Sequence, residues 1–209
     1  MTGAEKRVGV LGGTFNPIHI GHLVMAERAF DLYQLDRVLI LPSGISYMKN
    51  IGEIQDAKKR TQMVSLAIQG NKHLELSTIE IDRDGNTYTY ETMEYLCERY
   101  PDTEFFFIIG ADNLFSIEKW NQVEKLFQCC TVLVAGRNKY SEAEVNVQLE
   151  YYRIKYGAKV ELMDTPYINI SSSSIREYLQ NGRSIKYMVP PDVEEYIYRN
   201  SLYKDEAYE

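Results

Sequence analysis

The run Val8-Gly9-Val10-Leu11-Gly12-Gly13-Thr14-Phe15-Asn16-Pro17-Ile18-His19-Ile20-Gly21-His22 concentrates residue types that can do chemistry. An apolar strand-like segment delivers the backbone into a glycine pair, which permits close approach to a ligand. The turn after it feeds a helix start whose N–H groups and dipole favour anions. That is a phosphate cradle. It is not a Walker A loop, because GxxxxGK[ST] is absent, and glycines at 9, 12 and 13 do not make GxGxxG. His19 and His22 stand three residues apart at the helix start, so their imidazoles share a face directed at whatever the cradle holds. A zinc pair would need at least a third protein ligand. His73, Cys97, Cys129 and Cys130 lie at no metal-like spacing to supply it.

A second anion-binding pattern lies far downstream, in Ile170-Ser171-Ser172-Ser173-Ser174-Ile175-Arg176. Hydroxyls and N–H groups at a helix start, with an arginine about one turn in, would supply charge to a polyphosphate. A serine-rich N-cap with a solvent-facing arginine is the alternative, and the residues alone leave both open.

The elements that must position these groups follow from hydrophobic periodicity. Strands are predicted over Arg7 to Leu11, Arg37 to Pro42, Leu74 to Ile81, Phe105 to Gly110, Thr131 to Gly136 and Lys159 to Leu162. Helices are predicted over Gly21 to Tyr33, Asp56 to Gln69, Thr92 to Tyr100, Asn113 to Phe127 and Ser141 to Tyr156. The alternation calls for an α/β fold, a doubly wound parallel sheet buried on both faces. Two further helices, Ser172 to Gln180 and Asp192 to Asn200, then follow in succession. The expected division is a core over 1–165, a small C-terminal helical subdomain over 166–203, and a frayed tail over 204–209.

Composition narrows the function classes. The chain has 209 residues, 44% hydrophobic and 25% charged, with 23 Lys+Arg against 30 Asp+Glu and a net charge of −7. Such a balance argues against a sequence-independent grip on nucleic acid, which rests on lysine and arginine neutralising phosphates. Runs such as Phe105 to Ile109 fall far short of the roughly 20 apolar residues that cross a bilayer. The polar start, Met1 to Arg7, has no signal-peptide h-region, and three cysteines, two of them adjacent, suggest a reducing compartment. A cytoplasmic protein with neither membrane nor nucleic-acid partners is expected. The 17 tyrosines, clustered as at Tyr151-Tyr152, Tyr196 and Tyr198, read as half-buried helix faces with wet hydroxyls.

The first motif, Gly12-Gly13-Thr14-Phe15-Asn16-Pro17 followed by His19-Ile20-Gly21-His22, resembles the signature of the H-x-G-H nucleotidyltransferase superfamily. Ile170 to Arg176 resembles its second phosphate motif, I-S-S-T-x-I-R, as mononucleotide adenylyltransferases carry it. Ile108-Ile109-Gly110-Ala111-Asp112 followed by Trp120 resembles G-x-D…W, and Thr87-Tyr88-Thr89-Tyr90-Glu91-Thr92 resembles the segment that lines a pyridine pocket. Together they span residues 8–176 in the family's order, and the nearest resemblance is to the bacterial nicotinate-nucleotide adenylyltransferases. Asn16 replaces the usual Asp, Ser173 stands where Thr is common, and Pro42 to Lys49 lacks the frequent Pro-Pro-His before its lysine.

The resemblance implies a Rossmann-like nucleotidyltransferase fold and transfer of adenylyl from ATP to nicotinate mononucleotide, giving nicotinate adenine dinucleotide and pyrophosphate in NAD biosynthesis. It implies that His19, His22 and Arg176 are catalytic. ATP would be bound by these with Gly12, Gly13, Thr14, Phe15, Gly110, Asp112, Ile170, Ser171, Ser172 and Ser173. The mononucleotide would meet Lys49, Thr87, Tyr88, Thr89 and Trp120, while Mg²⁺ would be held mainly through substrate phosphates. Each carry-over has a plainer counterpart: Asp112 as a helix N-cap, Lys49 as a solvated side chain, Trp120 as packing beneath the crevice. Another small-molecule adenylyltransferase, a cytidylyltransferase, or a nucleotide-binding module without turnover is the alternative function.

Overall fold

Six strands form one parallel sheet: β1 (Arg7–Gly13), β2 (Arg37–Pro42), β3 (Leu74–Leu76), β4 (Glu104–Gly110), β5 (Thr131–Ala135) and β6 (Val160–Met163). Their spatial order is β3-β2-β1-β4-β5-β6, every neighbouring pair being parallel. The chain therefore winds outward from β1 in one direction and, after crossing over, outward from β4 in the other. A crevice must open between the carboxyl ends of these two strands. The computed structural model describes residues 7–44, 54–136 and 140–203.

Alternation along the strands gives each sheet face its own core. Leu11, Val38, Ile40, Phe106, Ile108 and Leu133 face the cluster that covers α1 (Ile20–Leu32) and α2 (Ala57–Ala67). Val8, Val10, Phe105, Phe107, Val132 and Val134 face α3 (Thr89–Arg99), α5 (Val123–Cys129) and α6 (Glu142–Tyr156). The last two helices, α7 (Ser172–Gln180) and α8 (Pro191–Arg199), contribute Ile175, Leu179, Val193 and Ile197 to the first cluster, so their apolar faces share the sheet's core. None of the three cysteines is in a disulfide. Among the described residues no helix is long and apolar enough to cross a membrane.

Three predicted elements differ in instructive ways. The strand expected over Leu74 to Ile81 ends at Leu76, because β3 is an edge strand whose pairing with β2 stops at Ile40↔Leu76. The chain then folds back on itself, the Asp82 N–H donating to the Thr78 carbonyl. The helix expected over Asn113 to Phe127 is three pieces: α4 (Ala111–Leu114), a 3₁₀ turn (Ile117–Lys119) and α5. Trp120 is extended at the end of the 3₁₀ turn and Gln122 is left-handed (φ 47°, ψ 49°), which no continuous helix allows. Finally, α3 starts at Thr89 rather than Thr92, after an extended Tyr88.

Candidate active site

The glycine pair is the end of β1 rather than a loop beyond it, with Gly12 and Gly13 paired in register to Leu41 and Pro42 of β2. A Cβ on Gly13 would sit 3.0 Å from the Phe15 ring, so any larger residue would press that ring away from the strand end. Phe15 itself is left-handed (φ 48°) and buried, and its ring meets His22 edge-on at 5.0 Å. The loop then turns through a cis Asn16–Pro17 bond into α1, whose N-cap is His19.

His19 and His22 do share a face, their rings stacked 3.7 Å apart. The backbone N–H of His19 donates to His22 Nδ1 at 3.2 Å. A ring nitrogen that accepts leaves the proton of a neutral imidazole on Nε2, which makes His22 a hydrogen-bond donor at that atom. His19, read from the sequence as a ligand-facing residue outside the core, is only 2% exposed. It lines the cavity and is packed at the same time.

Carbonyls of the loop are taken up from behind. Arg60, 3% exposed on the inner face of α2, donates to the carbonyls of Thr14 (2.8 Å), Ser43 (2.8 Å) and Gln55 (3.0 Å). Burial pulls its pKa down from the ordinary arginine value. Asn16 Oδ1 accepts from the Tyr203 hydroxyl at 2.8 Å and the Gln55 N–H at 3.2 Å. Burial raises the Tyr203 pKa, so this hydroxyl stays a donor through the physiological range.

The second motif closes on the first. Ser171 caps α7, accepting from the Ser174 N–H, and Ser174 Oγ accepts from the Ser171 N–H in return. The Ser172 hydroxyl donates to the Pro17 carbonyl at 2.8 Å. These hydroxyls therefore hold structure, and what α7 offers an anion is the N–H groups of its first turn, which a helix leaves without intrahelical partners. Arg176 spends one donor on the Asn16 carbonyl (2.9 Å) and reaches Ser173 Oγ at 3.4 Å, which leaves further guanidinium N–H groups for a ligand. The serine-rich N-cap is thus present, and it does not preclude an anion at the same helix start.

All of this surrounds a cavity of about 700 Å³ at the crevice between β1 and β4. Gly12, Gly13, Thr14, Phe15, His19, His22, Gly110, Asp112, Ser171, Ser172, Ser173 and Arg176 line it, as do Thr87, Tyr88, Thr89 and Trp120. Ile170 is not in the lining and packs against the first core cluster. Lys49 lies outside the described residues. Asp112 is not the N-cap of α4, a place Gly110 holds, but sits exposed in that helix's first turn. Trp120 is half-buried, its ring edge-to-face with Phe107 at 6.2 Å.

Sequence reasoning passed over Glu80, which also lines the cavity. Its carboxylate, 7% exposed, accepts from the hydroxyls of Thr87 (3.1 Å) and Thr92 (2.9 Å) and so fixes the chain where α3 begins. An acidic residue between Ile79 and Ile81 was the available signal. For Arg60 the signal was a cation at helical spacing with Met63 and Val64 on an apolar face.

Comparison with known proteins gives the family and the fold. Residues 10–178 match the cytidylyltransferase-like family. A protein of Lachnoclostridium phytofermentans described as "Probable nicotinate-nucleotide adenylyltransferase" is 39% identical over 198 residues, covering 95% of this chain and 99% of its own length. One of the same description from Caldicellulosiruptor saccharolyticus is 40% identical over 199 residues, covering 95% and 100%. In fold, the chain is similar to Plasmodium falciparum nicotinic acid mononucleotide adenylyltransferase complexed with NaAD, with a TM-score of 0.79 at 21% identity over 95% of this chain and 97% of that one. The chain belongs to the cytidylyltransferase-like family and, within it, to the nicotinate-nucleotide adenylyltransferases.

Proposed function

We propose that the protein transfers the adenylyl group of ATP to nicotinate mononucleotide, releasing pyrophosphate and forming nicotinate adenine dinucleotide. The observation that carries the reading is one cavity shared by two helix starts, α1 and α7, and an aromatic wall made by Trp120 and the start of α3. Two phosphate-binding ends and one ring-binding side match a reaction between a triphosphate and a mononucleotide. The curated relatives named for this activity support it.

The nucleophile is the mononucleotide's own phosphate. Its second pKa is about 6, so it is already ionised near neutral pH, and the protein has no proton to remove. Catalysis reduces to holding two anions in line and stabilising charge as it moves from the α-phosphorus to pyrophosphate. His22 Nε2, the N–H groups at the start of α7 and the remaining donors of Arg176 supply that stabilisation, while Asp112 receives the adenosine ribose. Mg²⁺ would enter with ATP, held mainly through phosphate oxygens and water, and would supply charge neutralisation on the phosphates. The site's donors are N–H, imidazole and guanidinium groups, a set suited to phosphate oxygens rather than to the metal.

The start of α3 sets the choice of mononucleotide. Its first-turn N–H groups, behind Thr87 and Tyr88, suit an acceptor-only carboxylate and would face the NH₂ of an amide donor to donor. A mismatch of roughly 1 to 3 kcal/mol predicts an acid-over-amide preference of about 10- to 100-fold in kcat/KM. The test is pyrophosphate release from ATP and Mg²⁺ with nicotinate mononucleotide, its amide, and pantetheine phosphate in parallel. Release only with pantetheine phosphate, or no release at all, overturns the proposal.

A further inference from the structure

The broken helix between β4 and β5 places Trp120 at the end of a short turn, and such a turn does not hold a ring still by itself. Phe107 meets the ring edge-on from within the cavity, and a second support, acting on the turn itself, lies outside it. Glu118, two residues before Trp120, projects from the 3₁₀ turn toward α6. There its Oε1 accepts from Lys155 Nζ (2.7 Å), the Tyr156 hydroxyl (2.8 Å) and the Tyr151 hydroxyl (3.1 Å). Lys155 Nζ also donates to the Tyr151 hydroxyl at 2.7 Å. Beside this group, the fully buried Tyr152 donates its hydroxyl to the Leu114 carbonyl at 2.8 Å, fixing the end of α4. Positions 151, 152, 155 and 156 fall on one face of α6. That helix is anchored at both ends, by a Ser141–Glu144 capping box and by left-handed Gly157 (φ 62°).

We propose that this face of α6 is a clamp that positions Trp120 for the mononucleotide, with Glu118 as the positioning residue through which it acts. The inference rests on the reading that Trp120 meets the mononucleotide's ring. The tyrosine cluster thereby gains a role in substrate selection without touching substrate. Lys155 and the tyrosine hydroxyls hold the Glu118 carboxyl below the usual glutamate range, so the acceptor is ionised when it is needed. Both partners of the ion pair are substantially exposed, at 34% and 46% for Glu118 and Lys155, so the fold itself leans on it little. A clamp that adds little stability yet is built from three donors on one acceptor is better explained by placement than by support.

Because Trp120 is the only tryptophan, its fluorescence reports this turn without labelling. The variants are Tyr156→Phe, far from Trp120 in sequence, and the triple change Tyr151→Phe, Lys155→Met, Tyr156→Phe. Acrylamide quenching of Trp120 is expected to increase and its anisotropy to fall in the order wild type, single, triple. KM for nicotinate mononucleotide should rise about 3-fold and then about 10-fold, below the roughly 10²-fold that a 1 Å misplacement can cost. KM for ATP should hold, and the melting temperature should fall by no more than about 4 °C. Unchanged quenching and unchanged mononucleotide KM overturn the clamp, as does an equal rise in both KM values. Should the triple variant fail to fold, Tyr156→Phe decides alone. If wild type makes no pyrophosphate from nicotinate mononucleotide, the activity reading fails, while the quenching series still decides whether α6 holds the ring.

Discussion

The starts of α1 and α7 solve one problem in two ways. Each is a helix end directed at the same cavity, and each ties its N-cap backbone N–H to a side chain three residues on: His19 to His22 in one, Ser171 to Ser174 in the other. The first is built from stacked rings, with His19 2% exposed and Phe15 beneath. The second is built from exposed and half-buried serines and is docked by Ser172 on Pro17 and Arg176 on Asn16. Preorganisation by packing couples a group's chemistry to the fold, whereas preorganisation by hydrogen bonds across a seam leaves the two separable.

The contrast is broken or sharpened by substitution. His19→Ala, which removes the ring stacked on the donor His22, should lower turnover by up to about 10² to 10³, the usual loss when one preorganised donor no longer acts. Unlike a solvent-facing site, it should also lower the melting temperature by several degrees, because a buried ring is removed. Turnover and calorimetry on the same sample check this. Arg176→Ala should raise KM for ATP about 10- to 100-fold with little change in melting temperature, and Arg176→Lys should restore only part of it. An equal effect on the mononucleotide would place Arg176 elsewhere. Tyr203→Phe, which removes a buried donor to Asn16, should cost about 1 to 3 kcal/mol of stability in thermal or urea unfolding and reduce activity only modestly. Ser172→Ala removes the part-buried tie between the two starts and should change kcat/KM for ATP by less than about 5-fold, roughly the worth of one neutral hydrogen bond.

Much of this was legible in the chain because strands buried on both faces announce themselves. Arg37 to Pro42 and Ser172 to Gln180 appear with the bounds that pattern and capping suggested. The two helix starts that meet at the cavity were legible because glycine before His19 and His22, and a serine run before Arg176, mark where helices begin. What stayed hidden were groups whose meaning is tertiary. Arg60 looks like any helix cation until α2 is laid against the loop, and Glu80 looks like a strand residue until β3 is found to stop at Leu76. The break around Trp120 was invisible because nothing in the residue pattern over Asn113 to Phe127 marks the extended Trp120 and left-handed Gln122 that interrupt the helix.

A peptide loop carries no net charge, so its preference for an anion has to come from which way its dipoles are turned. In the stretch from Thr14 to His19, the carbonyls of Thr14, Asn16, Pro17 and His19 are each claimed, by Arg60, by Arg176, by Ser172 and by the first turn of α1. With those oxygens engaged, the negative ends of the loop's dipoles are masked and its amide hydrogens dominate what a visiting ion meets. In an acidic protein of net charge −7, any preference of this loop for an anion would come chiefly from orientation rather than from accumulated cations.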